Sequence, residues 1–257
     1  MNLVVSESVP ARGRPAAAPL ALAAGLAVIF LAFHVPYLPA SLEDLDSINF
    51  ALGARQFDVA QHQPHPPGYP VYVFAAKAAM LLSGSEVIAL SAISIVSGTL
   101  GVLAVAVLFL RVEPAGPGSS WIAATALATA APLYWFSAVR PLSDMMGLAA
   151  VLGIQALTLS ASADRALAAA AFCAGVAAGV RSQVVWLTVP LLAFRLFQDL
   201  SPLPGSPVRV GADREPALRR GLLLLASYGC GTLVWAVPLV VLSGGPAAYL
   251  RTLANQG

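Results

Sequence analysis

From residue 87 to residue 110 the chain runs 24 residues without a charge. As a helix this run is about 36 Å long, more than the roughly 30 Å hydrocarbon core of a bilayer. Only a large protein core or a membrane can take such a segment, and composition decides between them. Hydrophobic residues make up 58% of the 257 positions and charged residues only 10%, against about 25% charged in an ordinary soluble domain. That is too little polar surface to cover a globule in water, so lipid is the expected solvent. The expected fold class is all-α: a polytopic transmembrane helix bundle of about seven spans, with a first extracytoplasmic loop containing interfacial helices.

Taken in order, residues 1–16 form a polar tail with Arg12 and Arg14 ahead of the first apolar run, 17–39. That run resembles a signal-peptide core, but its length and the spans that follow read as an uncleaved first helix. A polar loop follows, and then the run 71–84, which carries Lys77 at its centre. A charge there costs about 2.5–3.5 kcal/mol at mid-bilayer, so this segment reads as a helix at the outer interface. The first outer loop then extends over 40–86. After the span 87–110 come 121–136, with Tyr134 and Trp135 suited to the interface, a polar elbow VRPLSD, and 145–163. Asp164 and Arg165 read as a tight turn, and 166–180 and 184–194 as two thin spans meeting at Arg181. The longest inner loop is 195–220, the last span is 221–242, and the chain stops in an outer tail, GGPAAYLRTLANQG. Residues 17–257 thus form a single transmembrane domain.

Charge distribution sets the orientation. This topology puts Arg12, Arg14, Arg111, Arg165, Arg195, Arg209, Arg214, Arg219 and Arg220 inside, and Arg55, Lys77, Arg140, Arg181 and Arg251 outside. The excess of inner over outer positive charge predicts a cytoplasmic N-terminus. No block of like charge suggests nucleic acid as a partner. Cys173 and Cys230 lie in apolar runs without Cys or His at metal-binding spacing, and read as small packing residues.

Polar chemistry concentrates in 42–72, LEDLDSINFALGARQFDVAQHQPHPPGYPVY. Glu43, Asp44 and Asp46 supply carboxylates that can take a proton from an acceptor hydroxyl, hold a divalent cation (Mg or Mn), or simply cap the helix that INFALGA predicts. HQPHPPGYP is a rigid turn set by its prolines, with Gly68 free to take positive φ. Within it His65 is a hydrogen-bond donor for a phosphate or sugar, His62 a weaker candidate for the same role, and Tyr69 an interfacial anchor; His62 and His65 could also bind a metal, for which two histidines without a third ligand are a weak signal. His34 reads as a satisfied residue near the interface. Arg140 and Asp144 stand four apart in the elbow, the spacing of a local ion pair. Arg181 interrupts an apolar stretch, and ionisable groups at membrane depth ordinarily face a cavity. The topology brings Arg140 and Arg181 to the same face as the acidic loop, where guanidinium groups match phosphate oxygens.

The segments DSINFALGARQFDVAQHQPHPPGYPVY and VRPLSDMMGLA resemble the first-loop signature and a later segment of the integral-membrane GT-C glycosyltransferases, nearest the bacterial relatives of protein O-mannosyltransferases and lipid-A sugar transferases. The likeness covers roughly 17–194. It implies a polyprenyl-phosphate-linked sugar donor, transfer with inversion on the extracytoplasmic face of the bacterial plasma membrane, and a first-loop carboxylate as base. That role falls by position to Asp46, with Asp44 and Glu43 as neighbours that assist or replace it. Many relatives carry an adjacent Asp-Glu pair, whereas this chain has Glu43-Asp44, Leu45 and Asp46, so three carboxylates compete for the role. His65, His62, Tyr69, Arg55, Arg140, Asp144 and Arg181 are the candidate donor-binding residues; the acceptor would be a lipid, glycan or protein, with membrane lipids as surroundings. Such relatives are commonly much longer, which implies truncation at the C-terminus. The competing reading is non-catalytic: a lipid-sugar carrier or flippase-like protein, or a degenerate transferase subunit. A carrier would place its ionisable groups near the bilayer midplane; here they gather in one outer loop and at span ends.

Overall fold

The computed structural model describes residues 17–112, 120–198 and 214–255. The polar tail 1–16 and residues 199–213 of the inner loop lie outside the described residues, and Arg12, Arg14 and Arg209 with them. The described chain is helical, with no strand: α1 Ala17–His34, α2 Leu45–Arg55, α3 Pro70–Ser83, α4 Glu86–Val112, α5 Ser120–Ala130, α6 Pro132–Ser137, α7 Ser143–Ser160, α8 Asp164–Ala177, α9 Val184–Gln198, α10 Arg214–Leu242 and α11 Pro246–Ala254.

Among the described residues four helices are long and apolar enough to cross a membrane: Ala18–Tyr37, Glu86–Val112, Ser143–Ser160 and Ala217–Leu242. Large apolar side chains cover the outside of the bundle, among them Ile29, Phe33, Leu100, Leu127, Trp186, Leu225 and Val241. Contiguous apolar surface of this kind is not tolerated in water and needs lipid to cover it.

Side-chain neighbours give the direction of each helix. Phe30 packs at Gly98, and Ala23 lies in one cluster with Ala106 and Trp121, so α1 and α4 run antiparallel. Trp121 begins α5 at that same level, and the Tyr134 hydroxyl of α6 donates to the Gly98 carbonyl at 2.7 Å, so α5 and α6 climb back. Ser94 of α4 donates to the carbonyl of Arg140, and Ala149 of α7 reaches Gly101, so α7 descends beside α4. α8 ascends, α9 descends to Arg195, whose Nη2 donates to the Ala161 carbonyl, and α10 ascends alongside α8. The bundle therefore has two ends. One carries the acidic loop with the turns before α7 and α9; the other carries Ala161, Arg195 and Arg220.

Several local readings change. Residues 121–136 are not one helix: the chain breaks at Ala131, whose φ −55° and ψ 135° are non-helical, followed by Pro132 at the start of α6, as expected where proline removes a backbone donor. Tyr134 is not an interfacial anchor but is buried with its hydroxyl satisfied inside the bundle. Asp164 and Arg165 are the first residues of α8 rather than a turn. Helices α9 and α10 extend into the expected inner loop, so Arg195, Arg219 and Arg220 sit on helices. The tail after residue 242 folds back as α11, whose Tyr249 hydroxyl donates to the Pro67 carbonyl at 2.9 Å. His34 is fully buried, with its ring nitrogens at 2.7 Å and 3.2 Å from the carbonyls of Phe30 and Trp135.

Candidate functional site

Helix α2 begins with Asp44 as N-cap in extended conformation, and the Ser47 hydroxyl donates to the Asp44 carbonyl at 2.7 Å. Asp46 lies in the first turn, where the helix dipole favours a carboxylate. Phe50, buried and in edge contact with Tyr69 and Tyr72, fixes α2 against α3. Between them the chain closes on itself: Asp58 and Gln63 exchange backbone hydrogen bonds of 2.6 and 2.8 Å, and the Asp58 carboxylate accepts from the Ala60 and Gln61 amides. Pro64 then lies on Gly53, where a β-carbon would come within 2.8 Å of the proline ring. The proline turn is in this way clamped on α2.

The clamp delivers His65 and Tyr69. The His65 ring lies beside the rings of Phe50 and Tyr69, its Nε2 3.2 Å from the Tyr69 hydroxyl and its Nδ1 3.7 Å from the Asp46 carboxylate. The second distance is too long for a hydrogen bond, and Nδ1 is buried without one. Tyr69 holds a left-handed backbone at φ 43° as N-cap of α3, a conformation uncommon outside glycine. Burial pushes the Tyr69 hydroxyl above its ordinary pKa; the Arg181 charge opposes this, and Asp46 and Asp144 reinforce it. The phenol therefore stays protonated at neutral pH, within the field of all three groups.

Arg181 comes from the turn before α9. Its aliphatic stem lies against Gly147 of α7, its Nη1 pairs with Asp144 at 2.6 Å, and the same nitrogen donates to Ser143 at 3.3 Å. The Val71 amide donates to the Gly179 carbonyl at 3.0 Å, which ties this turn to the start of α3. Arg140 and Asp144 do not form the local pair their spacing suggests. Arg140 reaches Asp44 at 2.7 Å instead, and Asp144 turns to Arg181. Two ion pairs thus link the acidic loop and the α8–α9 turn to the elbow before α7.

Asp44, Asp46, His65, Tyr69, Arg140, Asp144 and Arg181 gather at this end of the bundle. Arg55 is drawn away from them into an ion pair with Glu86. Glu43 is exposed, and His62 is exposed in left-handed conformation at φ 59° at the end of the short helical turn that Asp58 caps. Sequence reasoning missed Ser143 and Glu86 as partners and Tyr249 as a contact of the proline loop; Ser143 and Glu86 lie next to residues already singled out, whereas nothing in the tail sequence marks Tyr249. Among the described residues no three His, Cys, Asp or Glu side chains stand close enough to hold a metal ion, and the Asp44 carboxylate is already engaged by Arg140. The acidic loop as folded does not fit a divalent cation.

No family model, curated protein or solved structure matches this chain.

The Arg140–Asp44 pair has side chains 52% and 38% exposed, so solvent screens it. A double-mutant cycle with Arg140→Gln and Asp44→Asn is expected to give a coupling of about 1 kcal/mol or less in thermal or denaturant unfolding. A coupling well above that would mean the pair clamps the loop.

Proposed function

We propose that this chain is an integral-membrane glycosyltransferase that moves a sugar from a polyprenyl-phosphate donor to an acceptor hydroxyl at the acidic-loop end of the bundle. The observation that carries the reading is the state of the carboxylates. Asp44 and Asp144 are each held by a guanidinium, whereas Asp46 is 60% exposed and its carboxylate lies 3.7 Å from His65 Nδ1. A base must be able to reach a substrate hydroxyl within hydrogen-bonding distance, and Asp46 is the carboxylate of the cluster placed for that.

The neighbours fit the other half of the reaction. Arg140 engages Asp44 through Nη2, and Arg181 engages Asp144 and Ser143 through Nη1. A guanidinium carries five N–H donors, so both retain donors for the phosphate of a lipid-borne sugar. In the proposed step the acceptor oxygen attacks the anomeric carbon as its proton passes to Asp46. The anomeric C–O bond to phosphate breaks with inversion, and the arginines hold the polyprenyl phosphate that leaves with the bonding pair. His65, packed between the Phe50 and Tyr69 rings, and the Tyr69 hydroxyl orient the sugar. No step is routed through a metal.

In this reading α1, α4, α5–α6, α7, α8, α9 and α10 are about seven passes across the bacterial plasma membrane, the shorter ones shielded by the longer. The N-terminus is cytoplasmic and the site extracytoplasmic. Helix α3 lies in the outer interface: it buries Tyr72, Val73 and Ala76 and exposes Phe74, Lys77, Leu81 and Leu82, an arrangement that puts apolar groups in lipid while Lys77 reaches headgroups.

Transfer is tested in proteoliposomes of the purified protein with polyprenyl-phosphate hexoses and pentoses carrying a radiolabelled sugar. Label is expected to leave the carrier; retention of label on every donor, with membrane extracts supplied as acceptor, would sink the reading. Sidedness is tested separately. With Cys173 and Cys230 replaced by Ser, a cysteine at Ser41 is expected to react with a membrane-impermeant maleimide in intact cells, and one at Ser162 only after lysis. The reverse pattern would invert the topology.

A further inference from the structure

The end of the bundle opposite the acidic loop holds a second polar site. Here the α7–α8 turn, the last turns of α9 and the first turns of α10 border an open-sided cavity of about 140 Å³, lined by Ser162, Asp164, Leu167, Arg195 and Arg220. A water occupies about 30 Å³ of liquid, so the space exceeds what one or two waters fill. Its charged lining is two guanidinium groups and one carboxylate, one net positive charge.

Arg220 pairs with Asp164, which leaves Arg195 as the lining charge with no carboxylate partner among the described residues. Arg195 Nη2 donates to the Ala161 carbonyl at 2.9 Å, while its Nε–H is buried and has no acceptor among the described residues. A buried donor of a charged group left unsatisfied is costly. Helix α8 opens at the same place with Ala163 as N-cap, which offers no side-chain acceptor, so the partial positive charge of the helix end adds to that of the arginine. An open-sided, net-positive space with an unfilled guanidinium edge at the end of a membrane bundle suits a tetrahedral oxyanion, which the planar Arg fork matches better than a point charge does.

We propose that this cavity binds a phosphate group, supplied either by the headgroup of an anionic membrane lipid or by free phosphate. The site is at the far end from Asp46 and stands whether or not the chain transfers sugar.

Two probes distinguish the sources. The full chain in phosphatidylcholine nanodiscs is titrated with radiolabelled inorganic phosphate, and the full chain in detergent is titrated with phosphatidylglycerol, with bound lipid read by native mass spectrometry. One saturable equivalent of one probe is expected: phosphate binding identifies a free-ion site, and phosphatidylglycerol binding alone identifies a headgroup site. Arg195→Lys keeps the charge and can still donate to Ala161 but removes Nε, and is expected to weaken binding about tenfold, the effect of one charge-assisted hydrogen bond. Ser162→Glu adds a negative charge at an exposed position on the cavity rim and is expected to abolish binding without changing the unfolding temperature. It carries the test if Arg195→Lys fails to fold. Absence of saturable binding with both probes, or binding by Ser162→Glu equal to that of the unaltered chain, overturns the proposal.

Discussion

Asp46→Asn is expected to remove sugar transfer while leaving the bundle intact. The amide has nearly the shape of the carboxylate but cannot accept a proton from the attacking hydroxyl, and loss of a general base costs about 10²–10⁴-fold in rate. Because the side chain is 60% exposed and makes no hydrogen bond that holds the fold, its effect on stability is expected within about 0.5 kcal/mol. The measurement is turnover of labelled donor beside the unfolding temperature. Asp44→Asn tests the neighbouring carboxylate: it breaks the ion pair with Arg140 and is expected to lower activity less, because it changes the position of an arginine rather than the chemistry. If Asp46→Asn retains activity and Asp44→Asn or Glu43→Gln loses it, the base lies elsewhere in the loop. If all three retain transfer, carboxylate catalysis by this loop is wrong.

What the sequence revealed and what it hid divide along physical lines. Uncharged length marked α4, and a shorter apolar run between polar segments marked α3; both bounds fall within a residue or two of the observed Glu86–Val112 and Pro70–Ser83. These are properties of one segment. The break at Ala131 was written in Pro132, yet an apolar run on both sides disguised it, and the buried role of Tyr134 depends on a carbonyl of another helix. Partner choice was the least legible. Arg140 and Asp144 are correctly spaced for each other, but an elbow stands between them and α7 begins only at Ser143, so the helical i, i+4 geometry never forms. Each charge is then left to whatever tertiary packing brings near: Asp44 in one case and Arg181 in the other. The cluster could be inferred from a shared face, whereas its pairing could not.

Gly231→Ala is expected to be strongly destabilising for a change of one methyl group. A β-carbon at Gly231 would stand 2.2 Å from the Phe172 carbonyl oxygen of α8, and one at the facing Gly175 would stand 2.1 Å from the Tyr228 carbonyl oxygen of α10. Both obstacles are backbone, so no side-chain rotation relieves them and the helices must separate. Alanine is intrinsically the better helix former by about 1 kcal/mol, but overpacking costs about 1–3 kcal/mol and grows where the neighbour cannot yield; the clash should win. Gly229→Ala is the matched control, in the same helix but with nothing within 4 Å of the added carbon, and is expected to be neutral or slightly stabilising. The consequence reaches the site. Trp235 of α10 donates from its indole nitrogen to the Gly175 carbonyl at 2.8 Å and packs on Gly179, two residues before Arg181. Separation of α8 from α10 should therefore shift the arginine turn, so that Gly231→Ala lowers the unfolding temperature and weakens donor binding together. A lower unfolding temperature with unchanged donor affinity would show that the turn is held by Val71 and Gly147 alone; unfolding temperatures equal for Gly231→Ala and Gly229→Ala would mean that the two helices do not meet as closely as their glycines allow.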